Sequence, residues 1–208
     1  MQLLFGLVLT YLIGSIPTAY IFGKFYKGID IREHGSGNVG ATNVFRVLGK
    51  TPGIMVLLLD ILKGLIPVVF LADMLGQTSI LYRIFFGIVA VCGHNWTVFL
   101  QFKGGKGIAT SLGVLIGLTL RIPSIRIVLL FVVLIWLCCF LLTGYVSLAS
   151  VLAATLLPII MVVTDQPFEL KCLGFVFCVF IILRHRVNVK RLLAGQESRV
   201  KLFSSKNK

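Results

Sequence analysis

The sequence predicts an all-α, polytopic integral membrane protein of about seven transmembrane helices, and three observations predict it. The 208-residue chain is 58% hydrophobic and 13% charged, with a mean hydropathy of +1.01. A soluble domain carries about a quarter charged residues, so lipid must solvate much of this apolar surface. The apolar residues also fall into seven runs, and the cations divide unevenly between alternate connections.

The first run, Leu3 to Phe22, is broken by Gly14 and Pro17. It is too long and too weakly basic at its front for a cleaved signal peptide, so it reads as a span. A polar, glycine-rich stretch, 24–50, follows. Further runs cover Ile54–Ala72, Ile84–Leu100, Gly107–Leu120, Ile127–Leu142, Tyr145–Val163 and Leu173–Leu183. The fourth and seventh are short of the roughly 20 residues a span needs; tilt, local thinning or flanking polar residues would complete them. With no internal repeat or linker, 1–208 reads as a single transmembrane domain, with 198–208 as a mobile basic tail.

Seven spans with the N-terminus outside put 24–53, 101–106, 143–144 and 184–208 on the cytoplasmic side. Those segments hold fifteen Lys and Arg residues, among them Lys24, Arg32, Arg46, Lys103, Lys106, Arg184 and Lys190. The outer side receives only Arg83, Arg121, Arg126 and Lys171, beside Asp73, Asp165 and Glu169. The positive-inside bias therefore places the C-terminus in the cytoplasm. The same bias accounts for the net charge of +13 without a nucleic-acid partner. The five cysteines sit in apolar runs with no metal-ligand spacing, so they read as small core residues and not as a disulfide frame or metal site.

Three polar clusters share the predicted cytoplasmic side. The first, Gly35-Ser36-Gly37-Asn38-Val39-Gly40-Ala41-Thr42-Asn43, is followed by Arg46. Its glycines satisfy GxGxxG, but a span precedes them where a dinucleotide fold needs a strand. What survives is anion chemistry: the glycines let backbone amides approach, Ser36, Thr42 and Asn43 add donors, and Arg46 can clamp phosphate. A flexible loop whose arginine meets lipid headgroups is the alternative.

The second cluster, Lys103-Gly104-Gly105-Lys106-Gly107, lies just before the fourth run and after Gly93-His94-Asn95-Trp96. It is not a Walker A loop, since Leu100 and Gly107 occupy the required Gly and Ser/Thr positions. Two lysines and glycines at a helix N-terminus suit phosphate, and positive-inside anchoring suits the lysines equally. His94 and Trp96 at a span end fit an interfacial belt.

The third cluster, Arg184 to Arg191 and ending in Gly195-Gln196-Glu197, carries His185 and Asn188 three residues apart, on one face of a continuing helix. A histidine there can act as a base or orient a hydroxyl; a stop-transfer anchor explains the flanking cations. Ser147, opening the sixth run, is a further candidate donor. Asp60 and Lys63, one turn apart inside the second run, read as an ion pair, with direct substrate contact as the alternative.

Taken in order, GSGNVGATNVFRVLGK at 35–50, GHNW with FLQFKGGKGIATSLG at 93–113, and RHRVNVKRLLAGQE at 184–197 resemble the acyl-phosphate-dependent glycerol-3-phosphate acyltransferase family of bacterial membranes. The resemblance covers almost the whole chain. Thr97 departs from it, standing where the family usually has proline, which bears on local helix geometry more than on chemistry. The resemblance implies transfer of a fatty acyl group from acyl phosphate to the 1-hydroxyl of glycerol 3-phosphate, an early step of phospholipid biosynthesis. The products would be lysophosphatidic acid and inorganic phosphate, with no cofactor and no metal. It also implies a multi-pass protein of the bacterial inner membrane whose partners are the two substrates and membrane lipid. His185, Asn188 and Lys106 would be catalytic, and Ser36, Gly37, Asn38, Asn43, Arg46, Lys103, Gly104, Gly105 and Ser147 would bind substrate. The H-x4-D pair of other acyltransferases is absent, because none of His34, His94 and His185 has Asp five residues on. A transporter of phosphate or organophosphate is the rival reading, although it calls for mid-bilayer polar residues in several helices.

Overall fold

The computed structural model describes residues 1–77 and 79–200, which are helical throughout their regular structure and form two compact units, Met1–Ile125 and the chain from Arg126 onward. Within the first unit run α1 (Gln2–Ser15), α2 (Thr18–Lys27), α3 (Ala41–Leu48), α4 (Lys50–Ile66), α5 (Ile80–Asn95) and α6 (Ile108–Thr119). The second contains α7 (Ile125–Thr143, starting at the boundary), α8 (Val146–Val163) and α9 (Phe168–Leu193).

Six segments among the described residues are long and apolar enough to cross a membrane: Gln2–Lys27, Lys50–Met74, Ile80–Leu100, Ile125–Thr143, Val146–Val163 and Phe168–Leu193. The seventh run, short in sequence, is a 26-residue helix because the polar ends of α9 continue it. The fourth run stays short. Its helix α6 has 12 residues, about 18 Å of rise, and it buries Thr110, Ser111, Gly113, Val114, Leu115, Gly117, Leu118 and Thr119. A helix so enclosed need not match the bilayer.

Glycine lets α6 approach α4 that closely. A Cβ at Gly64 would collide with the Thr110 carbonyl, and one at Gly113 with the Ile61 carbonyl, so each helix presses its backbone into a gap on the other. The same device joins α1 to α5, where Gly14 faces the Ala90 carbonyl and Gly93 faces the Tyr11 carbonyl. Small residues are the usual means of helix association in lipid, where no hydrophobic effect drives it.

Two helix interruptions expose backbone groups, and both find partners. Pro17 separates α1 from α2. The freed Ser15 carbonyl accepts from Thr97 Oγ1 at 2.6 Å, and the Ile16 carbonyl from Lys63 Nζ at 3.0 Å. After α4 the chain widens into a π-helical turn over Pro67–Leu71. There Arg83, itself buried, donates Nη1 to the Val68 carbonyl at 2.6 Å. Arg83 and Arg121 both pair with Asp73, one carboxylate shared by two of the cations assigned to the sparsely charged side.

In the second unit Gly174 of α9 lies against Met161 and Pro158 of α8, and Trp136 Nε1 on α7 donates to Ser150 Oγ at 3.1 Å. Leu130, Phe131, Leu134, Leu137 and Leu141 on α7 are exposed, as lipid-facing residues are.

Gly113→Ala should force α4 and α6 apart and lower stability by about 1–3 kcal/mol. The drop in thermal midpoint of the detergent-solubilised protein measures it; an unchanged midpoint would contradict the packing described.

Candidate active site

Two of the three polar clusters meet in the first unit. An apolar cluster of Ala19, Ile31, Val39, Val44, Val56 and Leu100 anchors the loop after α2, helix α3 and the loop after α5 to one another. At its edge the Gly105 backbone lies against the Val39 carbonyl, where a Cβ would stand only 2.8 Å from that oxygen.

The first loop is tied from within. Asp30 caps the 3-10 turn Ile31–Glu33 by accepting from the Arg32 amide at 3.0 Å, and its carboxylate also takes Arg32 Nε and, at 2.6 Å, Nη2. The Arg32 hydrogen bond holds the Asp30 carboxyl down to about 2. A depressed carboxylate pKa contributes stability above its ordinary value of 3.8 and loses it as the pH falls toward 2, so this tie is intact at neutral pH.

Asn43 is buried at the start of α3 and crosses the loop. Its Oδ1 accepts from the Ser36 amide at 2.8 Å, while Nδ2 donates to the Ile31 and His34 carbonyls at 3.2 and 3.0 Å. Both amide protons are therefore taken within the loop, which Asn43 shapes. Gly37, at φ 69°, adopts a left-handed conformation, and its amide donates to the His34 carbonyl. Ser36 and Arg46 are exposed, and Asn38 is half-buried with Nδ2 over Gly40.

The second loop is pinned to the end of α5. The Gly104 amide donates to the Asn95 carbonyl at 3.2 Å and the Gly105 amide to the His94 carbonyl at 3.0 Å. Both amides are thus engaged within the protein. Glycine is required because a Cβ at 104 would strike the His94 carbonyl and one at 105 the His94 ring. Lys103 is left exposed and Lys106 half-buried, one residue before the α6 cap Gly107. Just upstream, Gln101 and Phe102 both have positive φ, 53° and 60°. Strain of this kind costs on the order of 1–3 kcal/mol per residue and survives only where its surroundings enforce it. Here the Thr97 carbonyl receives the Phe102 amide at 2.8 Å, and Thr97 Oγ1 caps the 3-10 turn by accepting from Phe99 at 3.2 Å.

Thr97 thus answers for its departure from the family pattern. Its φ of −67° is one proline also adopts, so the geometry is kept, while the hydroxyl adds the bond to Ser15.

The buried pair lies beneath this loop. Asp60 Oδ1 is 2.7 Å from Lys63 Nζ and accepts from Thr18 Oγ1 at 2.6 Å, with His94 Nδ1 at 3.8 Å. A small pocket beside it is lined by Pro17, Thr18, Val39, Lys63, His94 and Gly105, among others.

The third cluster belongs to the second unit. His185 is buried on α9, its Nδ1 2.8 Å from the Ile181 carbonyl. A carbonyl only accepts, so Nδ1 carries the proton, and the lone pair of a neutral ring lies on Nε2. Glu197, the last residue of the 184–197 stretch, organises the rest. Its Oε1 accepts from Ser147 Oγ and from Asn188 Nδ2, both at 2.7 Å. The one Ser147 proton is committed to Glu197. The chain beyond α9 also folds back: the Val200 amide donates to the Gly144 carbonyl at 2.9 Å, and the Arg199 guanidinium lies 6.0 Å from the Tyr145 ring centre. Arg199 and Val200 thus lie against the start of α8, and the expected tail from 201 to 208 lies outside the described residues.

Thr97→Val should cost about 1–3 kcal/mol through its lost bonds. Thr97→Pro should cost less, because a stiffer unfolded chain recovers about 0.4–1 kcal/mol; thermal unfolding of both variants orders them. Glu197→Ala should lower turnover at least as much as Ser147→Ala, since it releases two side chains where the serine variant releases one.

The sequence profile described as Glycerol-3-phosphate acyltransferase matches residues 4–195. A glycerol-3-phosphate acyltransferase of Fusobacterium nucleatum is 45% identical over 197 residues, covering 94% of this chain and 96% of the relative. The crystal structure of PlsY (YgiH), an integral membrane glycerol 3-phosphate acyltransferase in its glycerol 3-phosphate form, superposes with a TM-score of 0.86 at 42% identity, over 96% of each chain. Its lysophosphatidic acid form gives 0.82 at the same identity, over 96% of this chain and 95% of that one. With the profile matched nearly end to end and the fold shared over the same length, this chain belongs to the glycerol-3-phosphate acyltransferase family.

Proposed function

We propose that this protein transfers a fatty acyl group from acyl phosphate to the 1-hydroxyl of glycerol 3-phosphate, at the cytoplasmic face of the bacterial inner membrane. The observation that carries the reading is the near full-length match, at 42% identity, to an acyltransferase solved with both glycerol 3-phosphate and lysophosphatidic acid, an acceptor and its acylated product. The orientation rests on the cation bias of the connections.

Acyl phosphate is a mixed anhydride and already activated, so no acyl-enzyme is required. The glycerol hydroxyl oxygen attacks the acyl carbonyl carbon, and the bond from that carbon to the oxygen bridging it to phosphorus breaks. Inorganic phosphate departs with that bond's electron pair. The hydroxyl proton goes to His185 Nε2 or to a phosphate oxygen of the donor. Lys106 and Arg46 stabilise the phosphate charge, with Ser36, Asn38 and Lys103 as further polar contacts. His185 and Asn188 orient the hydroxyl. Gly37, Gly104, Gly105, Asn43 and Ser147 support these groups by shaping the segments that carry them.

The test offers purified protein, in lipid, labelled glycerol 3-phosphate with acyl phosphate, acyl-CoA or acyl carrier protein separately. Ester should form with acyl phosphate alone. Ester from acyl-CoA would overturn the donor assignment, and none with any donor would return a transporter to consideration, read as uptake into vesicles. Lys106→Ala should abolish turnover, and His185→Ala or Asn188→Ala should lower it about 100-fold or more. An acyl ester trapped on Ser36 would overturn direct transfer.

A further inference from the structure

The Asp60–Lys63 pair sits outside all three polar clusters, in a helix the reaction scheme does not use. Both residues are buried, at 1% and 6% exposure, and so is His94 at 6%. Burying charge in lipid-embedded protein is costly, and charges retained there usually serve a function. The contacts indicate which one. Asp60 meets Lys63 at 2.7 Å, Thr18 at 2.6 Å and His94 Nδ1 at 3.8 Å. The opposite edge of the His94 ring, Nε2, lies where a Gly105 side chain would stand. The His94 carbonyl holds the Gly105 amide and the next carbonyl holds that of Gly104. The ring is therefore wedged between a buried carboxylate and the loop that carries Lys103 and Lys106.

We propose that Asp60, backed by Lys63, is a positioning residue for the Lys103–Lys106 loop and acts through His94. Asp60 and Lys63 fix the ring against which Gly105 is seated, and so the height at which Lys106 is presented. The inference rests on the proposed role of Lys106 in holding phosphate, but the structural half of it can be tested without turnover.

Hydrogen exchange of the detergent-solubilised protein reads the loop directly. His94→Leu leaves the ion pair intact, and the double variant Asp60→Asn with Lys63→Met removes both charges together, which avoids stranding one of them. Both should speed exchange of the Gly104 and Gly105 amides about tenfold or more. The Ser36 and Gly37 amides, held by Asn43 and His34 instead, should not change. For the acylation reaction the same variants should raise KM for the phosphate donor about tenfold while kcat stays within about threefold. Gly105→Ala, which pushes the ring from the other side, should raise KM similarly, and its effect should not add to that of the double variant. Unchanged protection at 104 and 105 in folded protein would overturn the proposal, whatever the activity shows. So would additive effects with Gly105→Ala. Loosened amides in a protein that acylates with no donor would leave the positioning role standing and refute the reaction instead.

Discussion

Everything in the first unit follows from one constraint: inside a bilayer every backbone carbonyl needs a partner from the protein itself. Pro17 breaks the first span, which frees the carbonyl of Ser15 and leaves that of Ile16 with only the Thr18 amide. Thr97 caps one, and Lys63 caps the other. A buried ammonium needs a counter-ion, so Asp60 follows, and Asp60 in turn meets Thr18 and faces His94. The far end of the same molecule repeats the logic, with a π-helical turn, a buried Arg83 and Asp73. Polar residues that hydropathy alone marks as intruders are the completion of interrupted helices.

The long helices were legible in the sequence because in lipid the apolar content of a segment nearly decides its fate. Six of the seven runs grew into spans, and Pro17 broke the first where a proline must. The reach of α9 was not legible, because its polar continuation looks like loop to a hydropathy measure although its backbone stays helical through Leu193. Nor was the enclosure of α6, which depends on which helices surround it.

In the candidate site, the residue types were readable and their roles only partly so. Glycine clusters beside cations pointed to phosphate, yet the glycine amides at 37, 104 and 105 are bonded within the protein. Composition cannot separate a glycine that offers its amide from one that merely leaves space. Asn43 shows the same ambiguity, its amide bridging three backbone groups. The role of Glu197 is not legible in the sequence because its partner Ser147 lies 50 residues away, and nothing local marks an acid as an acceptor for distant donors.

That separation also sets an order of assembly. Ser147 enters the membrane a full 50 residues of synthesis before its acceptor exists, and α9 must be threaded before Asn188 and Glu197 can meet across the turn at Gly195. The clasp is a late event in biogenesis. It locks only after α8 and α9 are both in place, so a ribosome stalled between them leaves Asn188 unmade and Ser147 without its anchor.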